Sequence, residues 1–404
     1  MKSACVLGMG ISGKAAARYL EKLGFSVTRV DDDPTLGLSP QEIAIENFSL
    51  FVPSPGVPRT HLLYVAAKRC GVEMSSEMEL GLCLLKDHIC IAVTGTNGKT
   101  TVVNWIKQLL QRAKIPAQIL GNDALPLLDY LEQEKKEEVL IIEVSSFQLE
   151  TMRQKTFDLG FILNITEDHL YRYRDFAEYG QVKCHLQNLV RGKLYVYEKV
   201  LSDFRKELAP SLESHLLETY SIDPTIQTER FTATHDLENA TAVWQVARYF
   251  GISHPDFLAA LDCFVKPAHR LEYVAAINGV TYYNDSKATN VDAQLKALGA
   301  MTEPVVLLAG GVDKGGSFLP LVSFKEKIRC IFAFGQCREK MAEQLKDALP
   351  VEVCTDMQEA VAKAKLFARS GETILLSPGC SSFDSFKNYA HRGEEFRKII
   401  LTGL

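Results

Sequence analysis

Short apolar runs alternate with segments of helical periodicity along nearly the whole chain. Runs rich in Val, Ile, Leu and Ala predict strands at residues 4–7, 26–30, 48–52, 89–93, 139–142, 161–165, 280–283, 305–308, 330–334 and 373–376. At 15–23, 102–110 and 235–250, apolar residues recur at spacings of three and four, which predicts amphipathic helices. Buried strands interleaved with such helices are typical of α/β proteins with parallel sheets. The chain is therefore predicted to have an α/β fold.

The most informative segment follows the run at 89–93. It reads Thr-Gly-Thr-Asn-Gly-Lys-Thr-Thr over residues 94–101, and a helical pattern begins directly after it. In a strand, glycine turn and helix of this kind, backbone N–H groups and the helix N-terminus surround a phosphate. Lys99 would neutralise the outer phosphates, and the Thr100 hydroxyl would ligate Mg²⁺. Val93 stands where the strict P-loop pattern has glycine, so a related Gly-x-x-Gly-Lys-Thr loop is predicted. A helix start with a solvated lysine is the alternative.

A second glycine motif lies near the start of the chain. The sequence Gly-Met-Gly-Ile-Ser-Gly at 8–13 follows the first predicted strand, and three aspartates at 31–33 follow the second. Acidic residues about 20 positions after such glycines usually bind a ribose, so a nucleotide-diphosphate site is predicted. A tight turn that binds nothing is the alternative. The rigid Pro-Ser-Pro-Gly-Val-Pro loop at 53–58 ends the next strand, where ligands sit in such sheets.

Three further polar residues are candidates for the surroundings of the phosphate loop. Glu143 ends the strand at 139–142, where an acid can hold Mg²⁺ directly or through water; an acid facing solvent is the alternative. His169 follows the strand at 161–165 and is interpreted either as a metal or phosphate contact or as a structural histidine. Lys183 lies in a segment with a helical pattern, where a single lysine is usually part of a solvated face, and composition alone gives it no special role.

Polar clusters also follow three strands in the last third of the chain. They occupy residues 284–287, 310–314 and 377–382. Each cluster alone fits an ordinary turn. Three clusters at the same edge of one sheet indicate a binding rim, because ligands bind at the carboxyl ends of parallel strands.

The α/β pattern restarts twice and so divides the chain into three predicted domains. The second predicted domain begins near Asp87, and the third follows Pro267, which precedes a charged pair and is interpreted as a hinge. A length of 404 residues fits two to four domains. We expect a Rossmann-like domain at 1–87, a central P-loop-type domain with a parallel sheet at 88–266, and a second Rossmann-like domain at 267–404.

Composition narrows the range of partners. The net charge is −5, so no broad basic surface indicates a nucleic-acid partner. The ten cysteines include no C-x-x-C pair, which favours reduced thiols in the cytosol over a disulfide framework. No apolar run approaches the roughly 18 residues of a membrane span, and the N-terminus lacks a signal-peptide pattern. A cytoplasmic protein without membrane insertion is expected.

Together these segments resemble the Mur ligase family of cell-wall amide ligases, nearly from end to end. The resemblance depends on an ordered and therefore specific set of segments at 94–100, 143–149, 164–169, 269–270, 284–290 and 377–384. Within the family, Ser-Ser-Phe-Gln-Leu at 145–149 and Asp-Ser-Lys-Ala-Thr-Asn at 285–290 resemble the member that adds D-glutamate to UDP-N-acetylmuramoyl-L-alanine. The sister ligases and folylpolyglutamate synthase share the phosphate loop and resemble the rest less.

The resemblance implies an ATP-dependent ligase of cytoplasmic peptidoglycan precursor synthesis that acts as a monomer. ATP would phosphorylate the acceptor carboxylate, and the glutamate amine would attack the resulting acyl phosphate. Two Mg²⁺ ions and Lys99 would offset the repulsion between the negative groups. Because water would destroy the acyl phosphate, the third domain is expected to close over it.

The resemblance also assigns residues to ATP and metal. The catalytic set would be Lys99, Glu143, His169 and Lys183. ATP would be bound by Gly95, Thr96, Asn97, Gly98, Lys99, Thr100, Thr101, Asn239, Arg270 and Asp285. The metal ions would be bound by Thr100, Glu143, His169 and Lys183. Lys183 would act as a carbamate, whose two oxygens suit Mg²⁺.

The same resemblance assigns residues to the other two substrates. The UDP-sugar acceptor would be bound by Ile11, Ser12, Asp31, Asp32, Asp33, Ser54, Gly56 and Asn122. A UDP-sugar site thereby replaces the dinucleotide interpretation of the first glycine motif. D-glutamate would be bound by Lys287, Thr289, Ser382, Phe383 and Tyr389.

Two positions depart from the family pattern. Tyr171 stands where the family usually has an acid, which changes the surroundings of the metal. Asp236 replaces the usual asparagine of the motif that helps to hold the adenine, although Asn239 remains. The second change is expected to weaken or retune ATP affinity.

Three other classes of protein are alternatives. A P-loop phosphotransferase or mechanical NTPase would not need the polar clusters of the third predicted domain and would release ADP without an amino acid. A NAD-dependent oxidoreductase built on the first glycine motif would leave the Lys99 loop unexplained. A ligand-binding relic without turnover is disfavoured because Lys99, Glu143, His169 and Lys183 are all retained.

Overall fold

The computed structural model describes residues 2–85, 87–122, 124–133, 139–209, 211, 216–226, 231 and 233–402. The chain forms two compact units. The first comprises Met1–Ile165 and Ala177–Phe264, and the second comprises Thr166–Phe176 and Val265–Leu404. Among the described helices, none has the length and apolar character that a membrane crossing requires.

The first unit begins with a parallel four-stranded sheet. Its strands are β1 (Ser3–Leu7), β2 (Ser26–Val30), β3 (Leu50–Pro53) and β4 (Glu73–Met74), in the spatial order β2-β1-β3-β4. The associated helices are α1 (Ile11–Lys22), α2 (Leu62–Cys70) and α3 (Glu77–Leu82). Both faces of β1 are covered by separate apolar clusters, which explains its unbroken run of apolar residues.

A parallel six-stranded sheet forms the rest of the first unit. Its strands are β5 (Ile89–Thr94), β6 (Ala117–Gly121), β7 (Val139–Glu143), β8 (Phe157–Ile162), β9 (Val190–Tyr197) and β10 (Leu217–Tyr220). They lie in the order β10-β9-β8-β5-β7-β6. The helices are α4 (Lys99–Arg112), α5 (Leu127–Leu131), α6 (Ser146–Leu149), α7 (Phe176–Cys184), α8 (Glu198–Asp203), α9 (Thr234–Tyr249) and α10 (His254–Asp262).

The central position of β5 decides where the phosphate loop lies. β5 pairs with β7 on one side and β8 on the other, so the loops after these three strands emerge side by side. α4 packs on this sheet through Val102, Val103, Ile106 and Leu110, all fully buried. Burying each such side chain contributes about 1.5–3 kcal/mol, which fixes the start of α4 relative to the strand ends.

The second unit contains a mixed six-stranded sheet. Its strands are β11 (Glu272–Ile277), β12 (Val280–Asn284), β13 (Val305–Gly310), β14 (Ile328–Phe334), β15 (Val351–Val353) and β16 (Thr373–Leu376), in the order β11-β12-β16-β13-β14-β15. β11 is antiparallel to β12, and the other pairs are parallel. The helices are α11 (Val291–Ala300), α12 (Arg338–Leu345), α13 (Met357–Phe367) and α14 (Tyr389–Leu401).

The α/β class with parallel sheets is confirmed, whereas several boundaries differ from the sequence prediction. The strand predicted at 161–165 is Phe157–Ile162, because Asp158 and Gly160 interrupt the apolar pattern in the first half of the strand. The antiparallel edge strand β11 was not predicted. Its residues are half-buried or exposed, so it lacks the apolar signature of the buried strands.

Candidate active site

The phosphate loop of the first unit depends on two glycines with positive φ. Gly95 (φ +156°) follows β5, and Gly98 (φ +88°) is the N-cap of α4. A side chain at Gly98 would be strained, and its Cβ would approach the Asn239 side-chain oxygen to 2.5 Å. The backbone of the loop therefore requires glycine at these positions, and Asn239 on α9 lies directly against Gly98.

Side chains of Lys99 and Asn164 hold the backbone of the loop in place. The Lys99 ammonium donates to the Gly95 carbonyl at 2.8 Å and to the Thr96 carbonyl at 2.9 Å. Asn164, just after β8, accepts from the Asn97 amide at 2.8 Å and donates to the Asn97 carbonyl at 3.0 Å. Lys99 therefore lies folded over the loop at the N-terminus of α4, where the helix dipole also favours an anion.

Glu143 lies at the tip of β7, as predicted, and faces the start of α4. Its carboxylate is buried, with only 2% of the residue exposed. One oxygen accepts from the Thr100 hydroxyl at 3.3 Å and from the Asn122 amide at 3.4 Å. Glu143 is therefore not an acid facing solvent. Thr100 and Glu143 together present hard oxygen atoms beside the loop.

Lys183 is buried, which excludes the solvated-lysine interpretation. Its exposed fraction is 1%, and its nitrogen donates to the Gly95 carbonyl at 2.9 Å. It lies 4.9 Å from the ring centroid of Tyr179, whose hydroxyl is 3.0 Å from the Thr96 hydroxyl. Lys99 and Lys183 therefore both contact the carbonyl of Gly95. Sequence composition gave no sign of this contact.

The remaining predicted ATP residues of the first unit lie on α4 and α9. Thr101 is buried in the first turn of α4. Asp236, the departure from the family pattern, is buried in the first turn of α9, and its carboxylate lies 3.6 Å from the His235 ring.

The first glycine motif forms a close turn around a serine. Gly8 has φ +88°, and a Cβ on Gly13 would lie only 1.9 Å from the Gly8 carbonyl oxygen, so both positions require glycine. The Ser54 hydroxyl donates to the same carbonyl at 2.6 Å. Ser54 thus connects the end of β3 with the turn before α1, as expected for loops that share one edge of a sheet.

The other residues of this sheet that are predicted to bind the UDP-sugar are partly or fully exposed to solvent. Asp31 accepts from the Met9 amide at 2.5 Å, and Asp32 contacts the His61 ring at 3.2 Å. Hydrogen bonds from Thr35 lower the pKa of the exposed Asp33. Ile11 is 71% exposed at the start of α1, which is unusual for isoleucine. Ser12 is half-buried and Gly56 is exposed.

His169 belongs to the second unit, so its surroundings are described there. It adopts a positive φ of +55°, and its ring Nδ1 lies 3.0 Å from the hydroxyl of Tyr171. Tyr171, which stands where the family resemblance implies an acid, therefore lies beside this ring and provides a hydroxyl as its hydrogen-bonding partner.

The predicted binding rim of the second unit is formed at three adjacent strand ends. β12, β16 and β13 are neighbours, so the clusters at 284–287, 377–382 and 310–314 lie side by side. Asp285 accepts from the Ser377 hydroxyl at 2.9 Å and from the Leu271 amide at 3.1 Å. Burial raises the pKa of Asp285 to about 7, against smaller opposing effects that include the positive charge of Arg270.

The predicted glutamate residues flank the start of α14. The Lys287 nitrogen lies 3.7 Å from the ring centroid of Tyr389, in a cation–π contact. Ser382 is buried, Thr289 is half-buried and Phe383 is 74% exposed. The structure thus brings Lys287 and Tyr389 into contact, and it leaves the Phe383 side chain open to solvent.

A fully buried arginine that was not predicted holds this rim together. The Arg392 side chain on α14 donates to the Ser286 hydroxyl at 3.0 Å and the Ser286 carbonyl at 2.9 Å. It also donates to the carbonyls of Cys380 at 3.1 Å and Ser381 at 3.4 Å. Burial lowers the pKa of Arg392 to about 10. It donates to the Gly310 carbonyl as well, at 3.5 Å, so one guanidinium joins all three clusters.

A second unpredicted feature is a pocket of about 210 Å³ beside the rim. Lys314 and Asp313 from the cluster at 310–314 line it, together with Glu167 and Asp292. None of the five predicted glutamate residues lines it. The Lys314 ammonium lies 3.0 Å from the buried Asp168 carboxylate, which also accepts from Asn290 at 3.0 Å. Burial opposes ionisation of Asp168, yet Lys314 and His169 hold its pKa below the usual value.

Comparison with known proteins identifies the family. The model of the Mur ligase middle domain matches residues 93–249, and the model of the Mur ligase glutamate ligase domain matches residues 269–380. A pseudomurein peptide ligase type C from Methanothermus fervidus aligns with a TM-score of 0.62 at 15% identity over 100% of both chains. The UDP-N-acetylmuramate-alanine ligase of Thermotoga maritima gives 0.60, also at 15% identity over 100% of both chains. At such identities the likeness shows a shared fold.

The chain belongs to the Mur ligase family and is an enzyme of that family. Among its full-length relatives, the UDP-N-acetylmuramoylalanine–D-glutamate ligase of Protochlamydia amoebophila is 36% identical, over 99% of this chain and 98% of the relative. Proteins with the same name from Caldicellulosiruptor bescii and Chlamydia pneumoniae are 33% and 34% identical, and each alignment covers at least 97% of both chains.

Proposed function

We propose that this enzyme joins D-glutamate to UDP-N-acetylmuramoyl-L-alanine, with ATP as the energy source, in cytoplasmic peptidoglycan precursor synthesis. The observation that carries the choice of substrates is the full-length similarity to several ligases of that name. The phosphate loop of the first unit and the polar rim of the second supply chemistry that suits this reaction.

ATP is proposed to bind at the loop between β5 and α4. Its phosphates would accept from the N–H groups of Gly95 to Thr101, with Lys99 beside them. Lys99 already extends over the loop, where it contacts two carbonyl oxygens. On ATP binding, its ammonium would turn to the phosphate oxygens, because an anion is a stronger partner than a carbonyl. Asn239, Arg270 and Asp285 are proposed as further nucleotide contacts.

Mg²⁺ fits the donor atoms beside this loop. Mg²⁺ prefers oxygen ligands and is usually held by one or two carboxylates together with substrate phosphates. Thr100 and the buried Glu143 present such oxygens, and no group of three or more His, Cys, Asp or Glu side chains suited to a metal occurs among the described residues. Thr100, Glu143, His169 and modified Lys183 would hold the metal. Bound Mg²⁺ would neutralise charge on the transferred phosphoryl group.

Lys183 is proposed to function as a carbamate. Its nitrogen and that of Lys99 both contact the Gly95 carbonyl. Two ammonium groups that share one oxygen atom repel each other, so a positive charge on both lysines is unfavourable. After loss of its proton, the neutral Lys183 amine would add CO₂ and release a second proton, so that a carbamate anion replaces one of the two positive charges. The carbamate would attract Lys99 and would offer two further oxygens to Mg²⁺.

The substrates are proposed to divide among three domains at 1–87, 88–266 and 267–404. Each range contains one of the three sheets. The turn built on Gly8, Gly13 and Ser54 would receive the uridine diphosphate at the N-terminus of α1. The exposed Ile11 would cover the uracil, and Asn122, beside Glu143, would contact the acceptor nearer its reacting end.

D-glutamate is proposed to bind at the rim of the second unit. Its amine must reach the acyl phosphate, so its carboxylates must be the groups that the protein holds. Lys287 and Thr289 on the first cluster, and Ser382 and the Phe383 amide on the last, would bind them, with Tyr389 beside Lys287. We add Lys314, the cation of the neighbouring pocket, as a further carboxylate partner.

The enzyme is proposed to act as a monomer, without a nucleic-acid or membrane partner.

The proposal is tested by product analysis. The enzyme is incubated with ATP, Mg²⁺, UDP-N-acetylmuramoyl-L-alanine and one amino acid. The mass of the UDP-sugar after the reaction is then measured by mass spectrometry. D-glutamate should give an amide product and ADP. A greater yield with L-alanine or a diamino acid would refute the assignment within the family. Binding of NAD without binding of UDP in calorimetry would instead refute the assignment of the first glycine motif.

A further inference from the structure

Two buried thiols lie side by side beneath the rim of the second unit. Cys337 precedes α12 and Cys380 lies in the cluster at 377–382, and their sulfur atoms are 3.2 Å apart. Both residues are buried, with 3% and 1% exposed. Among the described residues, no other pair of cysteine sulfurs is within hydrogen-bond distance. The proposed ligase reaction assigns no role to either thiol.

Backbone hydrogen bonds, and not side-chain packing alone, bring these thiols together. The Cys337 amide donates to the Gly311 carbonyl at 3.0 Å. The next residue of the same loop, Val312, exchanges hydrogen bonds with Ser381 at 2.9 and 3.2 Å. The loop at 310–314 therefore has one cysteine segment attached on each side. Because three strand ends fix this arrangement, the two sulfurs remain neighbours.

The two thiols differ in reactivity. Cys337 is the N-cap of the eight-residue α12, where the helix dipole favours a thiolate. The hydrogen bond from the Cys380 thiol lowers the pKa of Cys337, whereas the pKa of Cys380 is raised by that hydrogen bond and by burial. Cys337 is thus suited to react first with an oxidant, and Cys380 to react second.

We propose that Cys337 and Cys380 form a site of reversible oxidation, closed to a disulfide by a small peroxide. The Cys337 thiolate attacks one peroxide oxygen, which breaks the O–O bond, releases hydroxide and gives a sulfenic acid. The Cys380 sulfur then attacks the Cys337 sulfur, forms the S–S bond and displaces the second oxygen as hydroxide. The two thiol protons convert the hydroxides into water. Two thiols lose two electrons, and one hydrogen peroxide becomes two molecules of water.

Disulfide formation would change the geometry behind the rim. The sulfur atoms would approach from 3.2 Å to about 2.05 Å, so the two cysteine side chains and the segments that carry them would have to adjust. The Cys380 carbonyl is held by Arg392, Ser382 is two residues away, and the loop at 310–314 carries Lys314. If the proposed function is correct, oxidation should therefore disturb the D-glutamate site and leave the ATP loop unchanged.

The test maps the disulfide directly. The exposed Cys70, Cys83 and Cys263 are replaced by serine so that they do not compete for the oxidant. This protein is reduced, treated with hydrogen peroxide and digested without reductant. Mass spectrometry should find one peptide pair that joins Cys337 to Cys380, lighter by two hydrogen atoms and separated by dithiothreitol. Recovery of both cysteines as free thiols, or as separately oxidised residues, would overturn the proposal whatever the enzyme's activity.

A kinetic experiment measures how the disulfide changes the use of D-glutamate. Oxidation should lower kcat/KM for D-glutamate by about tenfold or more, because displacements near 1 Å in such sites are costly. Cys337→Ser should abolish this sensitivity, and Cys354→Ser, which changes another buried thiol of the second unit, should retain it. Equal sensitivity of all variants would refute the link to activity. Failure of the reduced enzyme to use D-glutamate would instead count against the proposed function, because peptide mapping does not depend on activity.

Discussion

The phosphate loop of the first unit and the polar rim of the second are built in opposite ways. The loop is one continuous stretch of eight residues, held by Lys99 on its own carbonyls and by Asn164 from the neighbouring strand. The rim consists of three separate clusters, up to about a hundred positions apart in sequence, joined by the buried Arg392. Both lie at the carboxyl ends of parallel strands, the usual place for ligands in such sheets.

The two regions differ in which residues position the groups that would contact a substrate. In the loop, the residues that would contact ATP are also the residues that shape the backbone. In the rim, the residues that would contact D-glutamate are positioned by other residues that contact no substrate. Mutations in the loop should therefore act on the chemical step. Mutations behind the rim should act on amino-acid binding and on stability.

The largest effect is expected from Lys99→Ala. Loss of the ammonium removes charge stabilisation from the phosphoryl transfer, so kcat should fall by about 10³-fold, which corresponds to about 4 kcal/mol. The fold should be retained, because the Lys99 side chain is not part of the apolar core. Steady-state phosphate release and circular dichroism measure the two quantities. Turnover within about tenfold of the wild-type rate would remove Lys99 from the mechanism.

The next largest effect is expected from Lys183→Ala. A loss of about 10²-fold should follow if the carbamate oxygens hold a metal ion. Acetate should restore part of the activity because it returns two oxygens to the vacated space, whereas small amines should not. Lys199→Ala, which changes an exposed lysine of the same unit, is the matched control.

Carbon NMR with labelled bicarbonate gives a second measurement that does not depend on turnover. A carbamate resonance should appear in the wild-type protein and be missing in Lys183→Ala. Rescue by amines, or a spectrum without that resonance in active enzyme, would mean that Lys183 acts as a cation.

Behind the rim, Arg392→Lys should separate substrate binding from chemistry. Lysine keeps the positive charge but cannot reach the carbonyls of Ser286, Cys380 and Ser381 together. KM for D-glutamate should rise about tenfold, and the free energy of unfolding should fall by about 1–3 kcal/mol. ATP affinity should change much less, because most of the proposed nucleotide contacts lie on the loop of the first unit. Arg397→Lys on the same helix, with a partly exposed ion pair, is the control. An equal loss of ATP affinity would contradict the proposed division between loop and rim.

The loop and its surroundings were largely predictable from sequence, because local patterns encode them. Gly95, Gly98, Lys99 and Thr100 lie within one short motif, and Glu143 ends a conspicuous apolar run. The contact of Lys183 with Gly95 was not predictable from composition, since it depends on how α7 packs, and only family resemblance singled out that lysine.

The rim was predictable only in outline. Three polar clusters at neighbouring strand ends were recognised, because strand polarity alone brings such ends together. Arg392 looks like one of several charged residues on α14, and nothing local indicates that it is fully buried. The ion pair of Lys314 with Asp168 joins residues 146 positions apart, so no sequence pattern could reveal it.

The last prediction concerns stability and not activity, namely the dependence of the unfolding free energy on pH near the rim. Burial raises the pKa of Asp285 from 3.8 to about 7. The folded protein thus binds this proton more tightly than the unfolded chain, so its contribution to stability is lost as pH rises from about 4 to about 7. Asp285→Asn should therefore be more stabilising, relative to wild type, at pH 8 than at pH 4.5, by up to about 3 kcal/mol.

Urea unfolding at the two pH values measures this difference. Subtracting the wild-type values removes contributions of other groups with raised pKa, such as the buried Glu77. Asp347→Asn, at an exposed position of the same unit, should show no comparable pH dependence. A variant effect that is the same at both pH values would mean that Asp285 is already ionised in the folded protein.

The most direct test of the proposed ligase reaction is the release of phosphate from ATP in four mixtures. They contain both UDP-N-acetylmuramoyl-L-alanine and D-glutamate, either one alone, or neither. We expect sustained release only in the complete mixture, because the loop supplies the activated acceptor and the rim supplies the amine that consumes it. Equal release without D-glutamate, or without the UDP-sugar, would contradict the ligase reaction and indicate a phosphotransferase or NTPase.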